Sequence, residues 1–150
     1  MENIFEQSVT ENIISRIKRL QLGTVPLWGK MNAAQMLAHC QVPIKVGMGE
    51  VKIKRSFIGF LFGRMAKKAF LKDNPFKKNL PTDTSFIMAD EKDFEMEKHQ
   101  LTMLVRSFAN LGSGASLNAA EHPFFGKMTT AEWGILSWKH LDHHLKQFRV

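Results

Sequence analysis

Thr129-Thr130-Ala131-Glu132-Trp133-Gly134-Ile135-Leu136-Ser137-Trp138-Lys139-His140-Leu141-Asp142-His143-His144-Leu145-Lys146-Gln147-Phe148 is the stretch on which the reading of this chain turns. Thr129 with Glu132 three residues on forms a capping-box signature. The apolar positions that follow recur at helical spacing, so the segment predicts a helix from Thr129 to Phe148. At about 100° per residue, Trp138, Leu141, Leu145 and Phe148 share one apolar stripe. His140, His144, Trp133 and Ser137 lie along the edge of that stripe. His140 and His144 are one turn apart and can point at one ion. His143 falls about 160° from Leu141, beside Lys139 and Leu136, and is expected to face solvent.

Working outward, three more long helices emerge. Ile4 to Leu22 carries Phe5, Val9, Ile13, Ile14, Ile17 and Leu20 at helical spacing, and Gly23 with Pro26 stops it. A second helix starts near Asn32, with Gln35 completing another capping box. It runs through Met36, Leu37, His39 and Cys40, and Pro43 is expected to kink or end it. The third long helix spans roughly Lys92 to Leu111, with Phe94, Leu101, Leu104, Val105, Phe108 and Leu111 on one stripe, and Gly112-Ser113-Gly114 ends it. Between the second and third lies a basic helix, Ser56 to Leu71, expected to be broken by Gly59 and Gly63, followed by loop signals at Asp73-Asn74-Pro75 and Leu80-Pro81-Thr82-Asp83. Without strand alternation or repeats, this pattern predicts an all-α fold: one domain over residues 1–150, a four-helix bundle with a basic helical insert between helices two and three.

His39 shares its helix face with Met36, Pro43 and Val46, an apolar face that turns inward. His39 can therefore meet His140 and His144 inside the bundle. Three imidazoles in a mostly apolar interior leave coordination positions open, as in catalytic zinc sites; nickel and iron also accept such a set. An isolated inward histidine is more often a hydrogen-bonded core residue. Periodicity alone therefore leaves both readings open. His99 reads as a surface residue and Cys40 as a small core side chain; His122, before a proline in a loop, can cap a helix or border the pocket, with a structural role the plainer reading.

Composition narrows the classes. The 44% apolar and 23% charged content of 150 residues is that of a globular chain able to bury a core without disulfides. A metal here would be functional rather than a folding staple. One cysteine, no recognisable signal peptide and no apolar run near membrane-spanning length predict a reducing, cytoplasmic setting and no integral membrane segment. The net charge of +7 is local. Residues 45–78 hold ten basic side chains against Glu50 and Asp73, while the remainder has eleven basic and twelve acidic. Phe57, Phe60, Phe62, Phe70 and Phe76 interleave with those cations. This mixture fits a grip on nucleic acid or an anionic membrane. The plainer expectation is that the aromatics pack on the bundle and the lysines face solvent, drawing an anionic small molecule to the pocket rather than nucleic acid.

Several motifs carry a resemblance. Trp28-Gly29-Lys30-Met31, Met36-Leu37-Ala38-His39-Cys40, Leu80-Pro81-Thr82 and, above all, His122-Pro123-Phe124-Phe125-Gly126-Lys127-Met128-Thr129 running into the last helix resemble an uncharacterised domain family within the DinB/YfiT-like superfamily, a group associated with metal-dependent enzymes. The resemblance covers nearly the whole chain in order. It implies an antiparallel four-helix bundle and one divalent metal ion, zinc or nickel foremost, held by His39, His140 and His144. It also implies homodimerisation as an assembly state. The activity it implies is a metal-dependent S-transferase using a low-molecular-weight thiol such as bacillithiol, mycothiol or glutathione on a small-molecule substrate. Two alternatives share these residues, a metal-hydroxide hydrolase and a metal-holding protein without turnover; a third, a module for nucleic acid or an anionic membrane surface, rests on the segment from Lys52 to Lys78.

Overall fold

A computed structural model describes residues 1–80, 84–114, 117 and 121–150, apart from the side chain of Ser85. Among the described residues the chain is all-helical, with five α-helices, one 3-10 turn and no strand. The helices are α1 (Gln7–Arg19), α2 (Ala33–Gly47), α3 (Phe57–Phe70), α4 (Phe94–Ser113) and α5 (Thr130–Gln147). The 3-10 turn covers Thr84–Phe86. The loop expected at residues 81–83 lies outside the described residues.

Local chemistry explains the boundaries. Asn32 accepts from the Gln35 amide while Gln35 Oε1 accepts from the Asn32 amide, the reciprocal cap expected from sequence. Thr129 and Glu132 do the same at α5. Asp93 caps α4 through the Met96 amide at 2.7 Å, so the helix begins at Phe94, two residues after the start read from sequence. Helix α1 begins at Gln7 rather than Ile4. Ile4 is nonetheless fully buried, and the Thr10 hydroxyl donates to its carbonyl. Pro43 sits inside α2, which continues to Gly47. A proline there removes only the hydrogen bond that would end on the His39 carbonyl.

Helices α1, α2, α4 and α5 pack on one another, with α2 lying against both α4 and α5. Their inner faces form one cluster around Ile13, Ile17, Met36, Leu37, Phe108 and Trp133. Burying a large apolar side chain contributes about 1.5–3 kcal/mol relative to leaving it exposed. This cluster therefore fixes the rotation of each helix, and with it the direction of its histidines. Arg16 adds a clamp, bonding the Asp142 carboxylate at 2.9 Å and the Val150 carbonyl at 3.0 Å.

Helix α3 corrects two expectations. Gly59 and Gly63 do not break it; both are buried inside one continuous helix. A Cβ on Gly59 would come within 2.8 Å of the Phe124 carbonyl oxygen, and one on Gly63 would overlap that same atom. The glycines are thus the contact face, chosen because helix and loop backbones touch. Nor do the aromatics all pack inward. Phe57, Phe60 and Phe62 are exposed, while Phe70 and Phe76 are partly covered. A face narrowed to glycine leaves no room for large side chains beneath the helix, so they project outward.

Candidate metal centre

His39, His140 and His144 converge. One potential ligand atom from each lies within 4.8 Å of the others, and this set could hold a metal ion. The caps at Asn32 and Thr129 set the start of α2 and α5, and the apolar cluster sets their rotation, so all three rings turn to one point. His39 is buried, and its Nδ1 pairs with the Phe86 carbonyl at 2.8 Å. A carbonyl can only accept, so Nδ1 carries the proton and Nε2 keeps a lone pair. His144 Nδ1 likewise pairs with Gln147 Oε1 at 2.8 Å, and Gln147 is oriented in turn by donating to the Trp28 carbonyl. The His39 and His140 Nε2 atoms stand 3.1 Å apart.

Burial keeps all three rings neutral. Desolvation is the main cause at each, lowering His39 against the opposing Phe86 hydrogen bond and lowering His140 strongly with help from His144 and His39. His144 is pushed down to about 3 by desolvation, then by His39. Neutral imidazole is the protonation state a cation needs. Without an ion, a neutral His140 can satisfy this pair by donating from Nε2 to His39 Nε2. Three neutral imidazoles with ligand atoms this close also fit a divalent ion.

The three histidines border a cavity of about 320 Å³ whose aromatic walls include Trp28, Phe70, Phe76, Phe125 and Trp133. Among the described residues no carboxylate lines it. Lys30 does, and Lys78 lies 4.5 Å above the Trp28 ring. The fully buried Trp133 carries an indole N–H with no acceptor among the described residues.

The chain belongs to the DUF1569 family. Its family model, "Protein of unknown function (DUF1569)", matches residues 5–150. No curated protein and no solved structure matches the chain.

In this DUF1569 domain, His143 departs from the sequence reading. It is partly buried, with Trp28 and Phe76 rings 5.4 and 6.0 Å away, and it lines the same cavity. The face it shares with Leu136 and Lys139 is covered by the chain from Phe70 to Lys78. Lys139 is the anchor: its ammonium donates to the Phe70 and Lys72 carbonyls at 2.7 and 2.5 Å, at the end of α3. A cation at a helix C-terminus is favourable there, and the lysine stem supplies apolar cover. A lysine beside a histidine reads as a solvated face, which is why the sequence concealed this covering.

His122 also borders the cavity. Its Nδ1 accepts from the Phe124 and Phe125 amides, both at 3.1 Å, and its ring stacks on Phe125. This is the structural role expected for it, extended to the cavity wall. Desolvation pushes it down to about 4. Cys40 is buried in the core, where desolvation raises its thiol and keeps it protonated. His99 is exposed.

Proposed function

We propose that this domain is a DinB-like antiparallel four-helix bundle that holds one divalent ion, zinc or nickel, on His39, His140 and His144. We further propose that it catalyses transfer chemistry between a low-molecular-weight thiol and a small-molecule electrophile in the adjoining cavity. The observation that carries this reading is the convergence of three neutral imidazoles beside a cavity that no carboxylate lines among the described residues. Bound there, a divalent ion supplies Lewis-acid activation, lowering the pKa of a thiol or water.

The chain's own groups supply the rest. Phe86 and Gln147 hold two of the rings with their lone pairs inward. Three protein ligands leave a further position for an incoming group. The aromatic walls accept an apolar substrate and exclude water. Lys30 at the cavity and Lys78 over Trp28 supply positive charge for the carboxylates of an anionic thiol. The reducing cytoplasm suits such a thiol and the protonated, buried Cys40.

The test begins with metal analysis of untagged protein. One equivalent of zinc or nickel per chain is expected, with metal-dependent consumption of glutathione or bacillithiol by a model electrophile that His140→Ala abolishes. Well under one equivalent after metal addition would overturn the reading.

A further inference from the structure

Helix α3 presents an outward sector that stays exposed among the described residues. At about 100° per residue, Gly59, Gly63, Ala66 and Phe70 fall within a sector of about 60°. Gly59 and Gly63 are the positions pressed on the backbone of Phe124. Phe57, Leu61, Met65, Ile58 and Phe62 span the opposite sector of about 140°, with Arg64 just outside one edge and Lys68 just inside it. The five apolar side chains are between 51% and 76% exposed. Monomeric soluble surfaces rarely gather so many large apolar groups in one place, and such patches mark interaction sites.

Charge selects the partner. Arg55 precedes the helix and packs over Phe60 at 5.4 Å, and Lys52, Lys54, Lys72 and Lys77 flank it, all exposed. The segment 45–78 has only Glu50 and Asp73 as acids. A second copy of the chain would bring the same basic face against itself, with like charges opposed. Nucleic acid would neutralise the cations but leave the apolar sector in water. A lipid surface with anionic headgroups satisfies both, because the apolar side chains enter the acyl boundary while lysine and arginine meet phosphates. With 14 residues the helix can lie in that plane, and no helix among the described residues is long and apolar enough to cross a membrane.

We propose that α3 is a docking helix for anionic membrane, lying in the headgroup plane with Phe57, Ile58, Leu61, Phe62 and Met65 inserted and Arg64 and Lys68 at the phosphates. The glycine face holds the helix in that pose. It rests on the 122–126 loop, whose His122 and Phe125 wall the cavity. The proposal does not depend on a metal at the three histidines.

Co-sedimentation of the full chain with vesicles tests it. Retention is expected on phosphatidylcholine–phosphatidylglycerol vesicles, and at least about tenfold weaker retention on pure phosphatidylcholine. Leu61→Gln with Met65→Gln should weaken binding by about tenfold or more, since it removes two inserted side chains. Arg64→Gln with Lys68→Gln should weaken it roughly thirtyfold on the anionic vesicles alone. All four side chains point to solvent, so circular dichroism should not change; if the apolar pair perturbs it, the charge pair carries the test. Three results would each overturn the proposal. One is no retention, or equal retention on neutral vesicles. Another is a soluble dimer that the apolar pair dissociates, which makes a second copy the occupant. The third is binding to duplex DNA or RNA that the charge pair abolishes and the apolar pair leaves intact.

Discussion

Replacing the adjacent His143 and His144 by alanine, one at a time, separates two roles that sequence spacing alone confuses. His144 belongs to the converging set, its Nδ1 tied to Gln147, whereas His143 lies outside it, between Trp28 and Phe76. An ion at a hundredfold its dissociation constant stabilises the native state by about 2.7 kcal/mol. For a chain of this size that is roughly 8 °C in melting temperature. The wild type should gain that increment on adding zinc or nickel, and His144→Ala should lose it. His143→Ala should keep the increment and one equivalent of metal. It should also melt about 3 °C lower than wild type without metal, because it removes a half-buried ring worth about 1 kcal/mol of packing. Calorimetry with and without metal, paired with elemental analysis, reads all four quantities. If His143→Ala loses the increment while His144→Ala retains it, the rotation of α5 is wrong and the proposed site with it.

Two further outcomes follow from the groups around the site. His122 is neutral in both states above its ordinary value of 6.5, but between 6.5 and about 4 only the unfolded chain takes its proton. Metal-free protein should therefore lose ~2 kcal/mol from this group by pH 5 and no more from it below pH 4, and His122→Asn should reduce the pH 7.5-to-5 difference in denaturant stability by that amount; an unchanged difference would show that the ring titrates freely. Gln147→Leu removes the acceptor that orients His144 and the donor to Trp28, so metal affinity by competition with a chromophoric chelator should fall 10–100-fold, roughly the effect of losing such an outer partner, with the helix intact. Wild-type affinity in that variant would mean that packing alone orients the ring.

Much of the architecture was legible because the signals were local. Capping boxes at Asn32 and Thr129 are spelled within four residues. The phase of an amphipathic helix follows from its own sequence, which turns His39, His140 and His144 inward; packing of the helices brings them to one point. What escaped was long-range. Lys139 looks solvent-facing until its ammonium is seen on the carbonyls of Phe70 and Lys72, which close α3. His143 was misplaced for the same reason, since its cover comes from a segment some seventy residues away in sequence. Gly59 and Gly63 read as breakers because glycine is a poor helix former. Their value lies in a backbone approach to Phe124 that no local pattern encodes.

These misreadings share a physical cause and point to one arrangement. Besides the Phe70 ring on Phe125, the segment from Phe57 to Lys78 is held to the rest of the chain by groups that carry little apolar surface: two glycines on a backbone, the Lys139 ammonium on helix-end carbonyls, and Lys67 on Glu132 at 3.0 Å. Its large side chains are thereby divided. Phe70 and Phe76 turn toward the cavity, and the remainder face outward. Polar anchoring is directional where apolar burial is not, so it can fix a helix while leaving its apolar sector free. The same anchors that seat α3 also close the wall beside His143 and Phe125. Loosening them, as Lys139→Met would by deleting both carbonyl contacts, should raise amide hydrogen exchange in α3 and in the 122–126 loop together, and faster exchange in α3 alone would refute the shared anchoring.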